Sequence, residues 1–327
     1  MASPNATFTE MVTTTLRNRK KKLADNVSKH NALLSRLTSR GKTKRLSGGR
    51  SIVAELEYAE NSVYQRYSGF DILNPQPSDI FTAAEYAWRN VTVPVQSSGD
   101  ELRQNAGREQ MINLAQARIN NAIRTMKNNL SSDFYSDGTA ANQINGLQAI
   151  IPDTAGGTLG GINGTTFTFW KSTTQSAAAP LQGGTAIVPG KTTMHSLMMP
   201  LYLELTRQND RTDLIVMTND YYSFFWEGLT DNQRYAQSSE AVAGFDSLKF
   251  VNADVVFDGG TAHGSMGSTS RAYFINTDFL NWEVHREADM DPMPEIRSSN
   301  QDAVIVHIIT SGNLTCSNRK VQGVITA

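Results

Sequence analysis

Five histidines, at positions 30, 195, 263, 285 and 307, are the first residues to test for chemistry. No two stand at the helical spacing that lets neighbouring turns share a metal ion. His263-Gly264-Ser265-Met266-Gly267 resembles the G-x-S-x-G turn that exposes a nucleophilic serine. His263 occupies the place of the first glycine, however, and Gly259, Gly260 and Ser268 make the surroundings a loop. The glycines between 156 and 164 lack the strand–G-x-G-x-x-G–helix setting of a dinucleotide cradle and read as a loop. Asp289, Asp291 and Glu295 lie among Pro292 and Pro294 without the regular oxygen spacing of a calcium loop, and read as a solvated turn. Cys316, the single cysteine, has no base beside it in the chain and reads as structural. Nothing here asks for catalysis, a metal or a cofactor, so a non-enzyme is expected.

Charge carries more signal. The chain has 327 residues, with 30 Lys+Arg against 31 Asp+Glu, a net −1. That total conceals a division. Residues 17–50 hold twelve cations, Arg17, Arg19, Lys20, Lys21, Lys22, Lys29, Arg36, Arg40, Lys42, Lys44, Arg45 and Arg50, against the single acid Asp25, a net +11. Residues 51–327 carry −11, and Glu10 supplies the last charge. A basic arm on an acidic body points to an anionic partner: a polyanion such as DNA, where each neutralised phosphate releases counterions, or the acidic body of a neighbouring subunit. A plain solvated helix face is the third reading. No aromatic residue lies between 17 and 50, so stacking on bases is not indicated and any nucleic-acid contact is expected to be blind to sequence.

The elements that must position these groups follow from periodicity. Thr7 and Glu10 have capping-box spacing, and Leu16, Leu23, Val27, Leu34 and Leu37 form a narrow apolar stripe ending at Gly41. So cationic a helix cannot bury a core of its own and must lie on another surface. Residues 42–50 read as a basic linker, and 51–58 alternate like a half-buried strand. Residues 64–73 and 80–96, rich in Tyr, Phe, Val and Thr, predict the strands of a long hairpin with its tip at Asn74, Pro75, Gln76, Pro77, Ser78 and Asp79. An isolated hairpin is marginal in water, so a long one implies a supporting surface, such as another subunit. Ile112, Ala115, Ile119, Ile123, Met126 and Leu130 predict a helix over 100–130, roughly 40 Å long at 1.5 Å per residue. Further helices are predicted over 189–207 and 219–234. Strands are predicted over 213–218, 248–257, 271–275, 303–309 and 321–325. The body is α+β.

Composition closes off other classes. A 39% hydrophobic content with 24 glycines is ordinary for a globular protein. One cysteine allows no intrachain disulfide and fits a reducing compartment. The longest apolar runs fall far short of the roughly 20 residues that span a bilayer, and the N-terminus has no secretory pattern.

The order of a charged arm, long hairpin, long helix and α+β body resembles the major capsid proteins of tailed bacteriophages, the Hong Kong 97-type shell fold shared with encapsulins. Local text agrees: Ser47-Gly-Gly-Arg50, Glu55-Leu-Glu-Tyr-Ala-Glu60, Tyr67-Ser-Gly-Phe-Asp71, Pro77-Ser-Asp-Ile-Phe81, Met126-Lys-Asn-Asn129, Tyr135-Ser-Asp-Gly138 and Gly312-Asn-Leu-Thr-Cys-Ser-Asn-Arg319. The resemblance implies an N-terminal arm over 1–50, a strand of the peripheral (P) domain over 51–61, and the extended E-loop hairpin over 62–98. The P-domain spine helix and the segment after it would take 99–144, the axial (A) domain 145–290, and return strands completing the P-domain 291–327. It further implies self-assembly into pentamers and hexamers of an icosahedral shell around double-stranded DNA, with portal and decoration proteins as further partners. The location would be the virion, assembled in the host cytoplasm, with no membrane contact. About 50 residues precede the first predicted strand. That leaves no room for the long cleaved scaffolding region of the family's founding member, so a separate scaffolding protein is expected. Residues 64–96 contain no lysine, only Arg66 and Arg89, which disfavours the family's Lys–Asn cross-link through this hairpin. The alternatives are an encapsulin-type compartment, which the basic arm argues against, and a non-specific nucleic-acid-binding protein, which the hairpin and acidic body argue against.

Overall fold

The computed structural model describes residues 32–73, 76–104, 114–229, 248–260, 264–267, 269–297 and 301–327. Its longest strand, β14 (Ala303–Cys316), opens with the run AVIVHII, whose β-branched side chains suit a pleated surface. On one side it pairs antiparallel with β4 (Arg89–Ser98), in continuous register from Ala303 opposite Ser98 to Gly312 opposite Arg89. On the other it pairs with β12 (Leu280–Pro292) and the short β13 (Ile296–Arg297). β1 (Thr43–Leu46) adds to the outer edge of β12 in parallel. Gly312 is required here: a Cβ at this position would lie 2.5 Å from the Glu283 carbonyl oxygen across the ladder.

The second sheet has six strands in the order β7 (Thr173–Ser176), β15 (Gly323–Thr326), β11 (Arg271–Ile275), β8 (Leu214–Met217), β10 (Ala253–Phe257) and β9 (Leu248–Phe250). Its central strands are apolar on both faces, as in a sheet covered on both sides. Ile215, Met217, Val255 and Phe274 pack under helices α5 (Met194–Glu204) and α6 (Asn219–Gly228). Leu214, Val216, Tyr273 and Ile275 face the other way, into a core shared with Leu33, Leu37, Phe134, Trp282 and Leu314. Two helices precede these in the chain, α2 (Gly99–Gln104) and α3 (Leu114–Asp133), and a short α4 (Leu147–Ile150) follows them. The apolar face of α3 (Ile119, Ala122, Ile123, Met126) lies on Val93, Val95, Val306 and Ile308 of β4 and β14. Its continuation, Leu130 and Phe134, enters the shared core, where the Phe134 ring meets Trp282 edge-on at 5.1 Å.

Several expectations need correction. Residues 64–73 form no strand. The hairpin is made instead by β2 (Ile52–Glu57) and β3 (Phe81–Tyr86), paired from Ile52 opposite Tyr86 to Glu57 opposite Phe81, and β4 belongs to the first sheet. The excursion therefore starts near residue 51, not 62. Residues 42–50 are not simply a linker, because β1 lies within them. Residues 248–257 are two strands, reversing at Val251, whose φ is 54°. β15 closes the second sheet against β7 and β11 and does not return to the first. The described end of the arm does lie on another surface, that of the body: α1 (Ala32–Ser39) buries Leu33 and Leu37 completely. Residues 1–31, which hold most of the predicted arm stripe, lie outside the described residues, as do 105–113 of the predicted long helix.

Arg319 lies in the connection between the two sheets. It sits between β14 and β15, is 1% exposed, and has no carboxylate partner among the described residues. Its guanidinium donates to the carbonyls of Gly156 at 2.7 Å and Gly157 at 3.1 Å, and also to those of Ile150, Ala149 and Trp170. A fork of donors satisfies carbonyls at the end of α4, in the glycine loop and at the 3-10 turn Thr168–Trp170. Lysine offers a single nitrogen and would leave several of these buried acceptors without a donor. Arg319→Lys is therefore expected to lower the free energy of unfolding by about 2–4 kcal/mol, measured by urea denaturation, at a small cost in side-chain volume.

Candidate functional site

The described half of the basic segment meets its own body. The placement of α1 beside the second sheet sets Arg36 against Asp254 of β10 at 2.7 Å, with side chains only 12% and 10% exposed. Arg40 reaches Asp213 at 2.9 Å and Lys42 reaches Asp278 at 2.8 Å. The parallel register of β1 on β12 then puts Lys44 opposite Glu283, 4.0 Å apart. Arg45 holds Asp289 through both Nε, at 2.9 Å, and Nη2, at 2.7 Å. Burial raises the Glu283 carboxyl above its usual range, and Lys44 and a Thr315 hydrogen bond pull it back. Of the three acids read as a solvated turn, Asp289 is thus paired, whereas Asp291 and Glu295 are exposed. Asp289 and Asp291 are strand residues and not a turn. They lie on β12, at the register shifts where it bulges against β14. Arg50 is exposed. Arg17, Arg19, Lys20, Lys21, Lys22 and Lys29 lie outside the described residues.

The hairpin presents the opposite character. Beyond Tyr58, whose amide donates to the Ile80 carbonyl, the described residues up to Phe81 have no strand pairing. A local turn orders part of it: the Ser68 amide donates to the Asp71 carboxylate at 2.8 Å, and Gly69 adopts φ 54°. That turn leaves Phe70 and Ile72 essentially fully exposed, at 107% and 93%, with Tyr64, Tyr67 and Leu73 also outward. Of the predicted tip, Gln76, Pro77 and Asp79 are exposed and Ser78 is half-buried, while Asn74 and Pro75 lie outside the described residues. Contiguous exposed apolar groups of this size mark a surface made to be covered.

The hairpin's root is fixed. The Glu85 amide donates to the Gly160 carbonyl at 2.9 Å, and the fully buried Tyr86 hydroxyl donates to the Cys316 carbonyl at 2.8 Å. A side chain at Gly160, where φ is 58°, would press on Ala84 at 2.8 Å. The glycine-rich loop therefore seats the hairpin. An open cavity of about 740 Å³ lies beside this seat, lined by Tyr58, Phe81, Phe167 and Phe169 with Ser78 and Asp79.

The remaining candidates for chemistry are placed as follows. Ser265 is buried and takes a hydrogen bond from Ser131 at 2.9 Å, so it is not displayed on an exposed elbow; His263 lies outside the described residues. Cys316 is fully buried, and its thiol is pushed up to about 12 by that burial. His195 stacks on Phe225 at 5.1 Å and His285 lies edge-on to Trp88. Among the described residues no group of three or more His, Cys, Asp or Glu side chains comes together as a metal site, and no helix is long and apolar enough to cross a membrane.

Solved structures match this architecture over almost its whole length. The capsid asymmetric unit of cyanophage A-1(L) superposes with a TM-score of 0.72 at 18% identity, covering 94% of this chain and 96% of that one. The fold is the Hong Kong 97-type phage capsid fold. The capsid of an empty GTA particle matches with a TM-score of 0.63 at 10% identity, over 99% and 100% of the two chains. The capsid of cyanophage P-SCSP1u matches at 0.56 and 10% identity, over 100% and 97%. No family model matches the sequence, and no curated protein matches it. The likeness is thus carried by the capsid fold and not by sequence.

Sequence reading found the arm's charge but missed its partners, because Arg36 and Asp254 stand 218 residues apart. Burial separates the pairs energetically. A double-mutant cycle on Arg36 and Asp254 is expected to give a coupling of about 1–3 kcal/mol that persists in 0.5 M salt. The same cycle on Arg45 and Asp289, where the arginine is 66% exposed, should give under about 1 kcal/mol and decline with salt.

Proposed function

We propose that this chain is the major capsid subunit of a tailed phage, a structural protein that assembles into the pentamers and hexamers of an icosahedral shell around double-stranded DNA. One observation carries the reading: a whole-chain match to capsid subunits in a molecule whose hairpin holds Phe70 and Ile72 free of any contact of its own. A monomer gains nothing from such a loop, whereas a lattice of copies covers it. In this reading the hairpin β2–β3 and residues 58–80 are the E-loop, whose tip at 74–79 meets a neighbour. The first sheet with α3 is the P-domain, and the second sheet with α5 and α6 is the A-domain. The cations at 17–29 are the part of the arm left for neighbouring subunits or for packaged DNA, contacted without regard to sequence. A separate scaffolding protein, a portal and a decoration protein are the expected partners. The virion is the expected location, with assembly in the host cytoplasm. An encapsulin-type compartment is the lesser reading, because phage and GTA capsids are the structures matched.

Electron microscopy of the expressed chain tests this directly: closed shells or ring-shaped capsomers are expected, and a stable monomer at high concentration refutes it. Joint replacement Phe70→Ser and Ile72→Ser should leave the unfolding free energy within about 0.5 kcal/mol of wild type, since both side chains are exposed, yet reduce particle yield at least tenfold. Removal of residues 1–31 should leave a folded body. Removal of 1–50 should not, because it takes away Leu33, Leu37 and β1; circular dichroism distinguishes the two.

A further inference from the structure

One carboxyl is buried where no cation meets it. Asp258 follows β10 at the joint between the second sheet and the end of α3, and is fully buried. Its Oδ2 accepts the Tyr135 hydroxyl at 2.8 Å and its Oδ1 accepts the Ser265 amide at 3.0 Å. Ser131 of α3 donates to the Ser265 hydroxyl at 2.9 Å. The amide of Ala32, first residue of α1, also bonds to this carboxyl. The backbone of Asp258 is tied on both sides: its N–H donates to the Met217 carbonyl, and its carbonyl accepts the amides of Ser265 and Met266. A Cβ on Gly264 would fall 2.0 Å from the Gly259 carbonyl oxygen, so the backbone of Gly264 packs closely on Gly259. Three elements, α1, α3 and the second sheet, converge on one carboxyl.

The other ionisable groups of these elements do not compensate it. Arg36 of α1 is engaged by Asp254 of β10. Arg271 of β11 is engaged by Asp153 at 2.5 Å, and Asp220 of α6 is bonded to Ser270. Tyr273 of β11 lies 6.4 Å from Tyr135, and burial raises both phenols so that neither ionises near neutrality. No ion pair reaches Asp258 among the described residues. Burial pushes its carboxyl up to about 7, against the opposing effect of the hydrogen bonds from Tyr135, Ser265 and Ala32.

We propose that Asp258 is a proton-operated latch on the arm: neutral, it is tolerated in its buried site and α1 and the end of α3 stay on the second sheet, and on ionising the cost of keeping its charge from water loosens α1. The inference stands on this cluster alone and does not depend on the capsid reading. The folded form binds the proton more tightly than the open form, so the stabilisation is fully present below the ordinary carboxylate value and is lost as pH rises through about 7.

Hydrogen exchange of the full chain, followed by mass spectrometry and corrected for intrinsic rates, tests the latch. Protection of residues 32–39 is expected to fall about tenfold between pH 6 and pH 8, with little change in α5 and α6 on the far face. Asp258→Asn should abolish the step. His263→Ala, which removes the nearest histidine along the chain, should preserve it. Tyr135→Phe removes a donor that favours the ionised form and should move the midpoint upward; this variant carries the test if Asp258→Asn does not fold. A step that survives Asp258→Asn, vanishes in His263→Ala, keeps its midpoint in Tyr135→Phe, or appears equally in α5 and α6 overturns the proposal.

Discussion

A guanidinium buried among backbone carbonyls is the interaction on which much of this fold depends. Removing a cation from water costs several kcal/mol, and Arg319 has no carboxylate to offset that. What offsets it is a set of peptide carbonyls that would otherwise themselves be buried without donors. The two needs are met together only if the end of α4, the glycine loop and the 3-10 turn stand where they do. That loop in turn seats β3 through the Gly160 carbonyl, so the direction in which the hairpin leaves the body is set by a residue near the other end of the chain. The glycines at 156 and 160–161 belong to this seat and not to a phosphate site.

The division of charge has a similar resolution. A net +11 segment beside a −11 body suggests two partners, but five of the six cations between residues 32 and 50 find carboxylates in the same chain. The pairs run along α1 and β1, fastening this stretch to β10, to the segment before β8 and to β12. Strength along the row is unequal. The pair on β10 is nearly desolvated and is held in one geometry, whereas the Arg45 pair on β12 competes with water and ions. The seam is therefore firm at the helix and weaker toward Arg50. Of the described cations of this stretch, Arg50 alone has no ion pair with the body.

How much of this could be read from the sequence depended on whether the signal was local. The face of α3 was legible because Ile119, Ile123 and Met126 recur at helical spacing, and β11 and β8 because their runs are short, apolar and bounded. Residues 64–73 misled because aromatic composition resembles a strand, while strand formation requires a partner ladder that this chain does not supply. β12 was hidden for the opposite reason: Glu283, Arg286, Glu287 and Asp289 look like solvent-facing text, and its burial and bulges are imposed by β14. Of the candidate site, the arm's charge was visible as composition. The pairs made by Arg36 and Arg45, and the cluster around Asp258, join residues more than a hundred positions apart and leave no local trace.

The hairpin shows why a stable body and an unsatisfied loop belong in one molecule. The described residues between β2 and β3 are held by a few local hydrogen bonds, so ordering them further would cost on the order of 1 kcal/mol per residue with little compensating burial among the described residues. Covering side chains such as Phe70 and Ile72 with another copy would return about 1.5–3 kcal/mol each. Two such side chains do not meet the cost of a whole loop, so a single partly covered contact would be weak and reversible, and many exposed groups would have to be covered together. Geometry then favours arrays in which each subunit both presents and receives a hairpin, because closure lets every loop be covered at once. For that to work the root must not give way when the tip is loaded. Tyr86, fully buried and hydrogen-bonded to the end of β14, together with the glycine seat fixed by Arg319, supplies that rigidity.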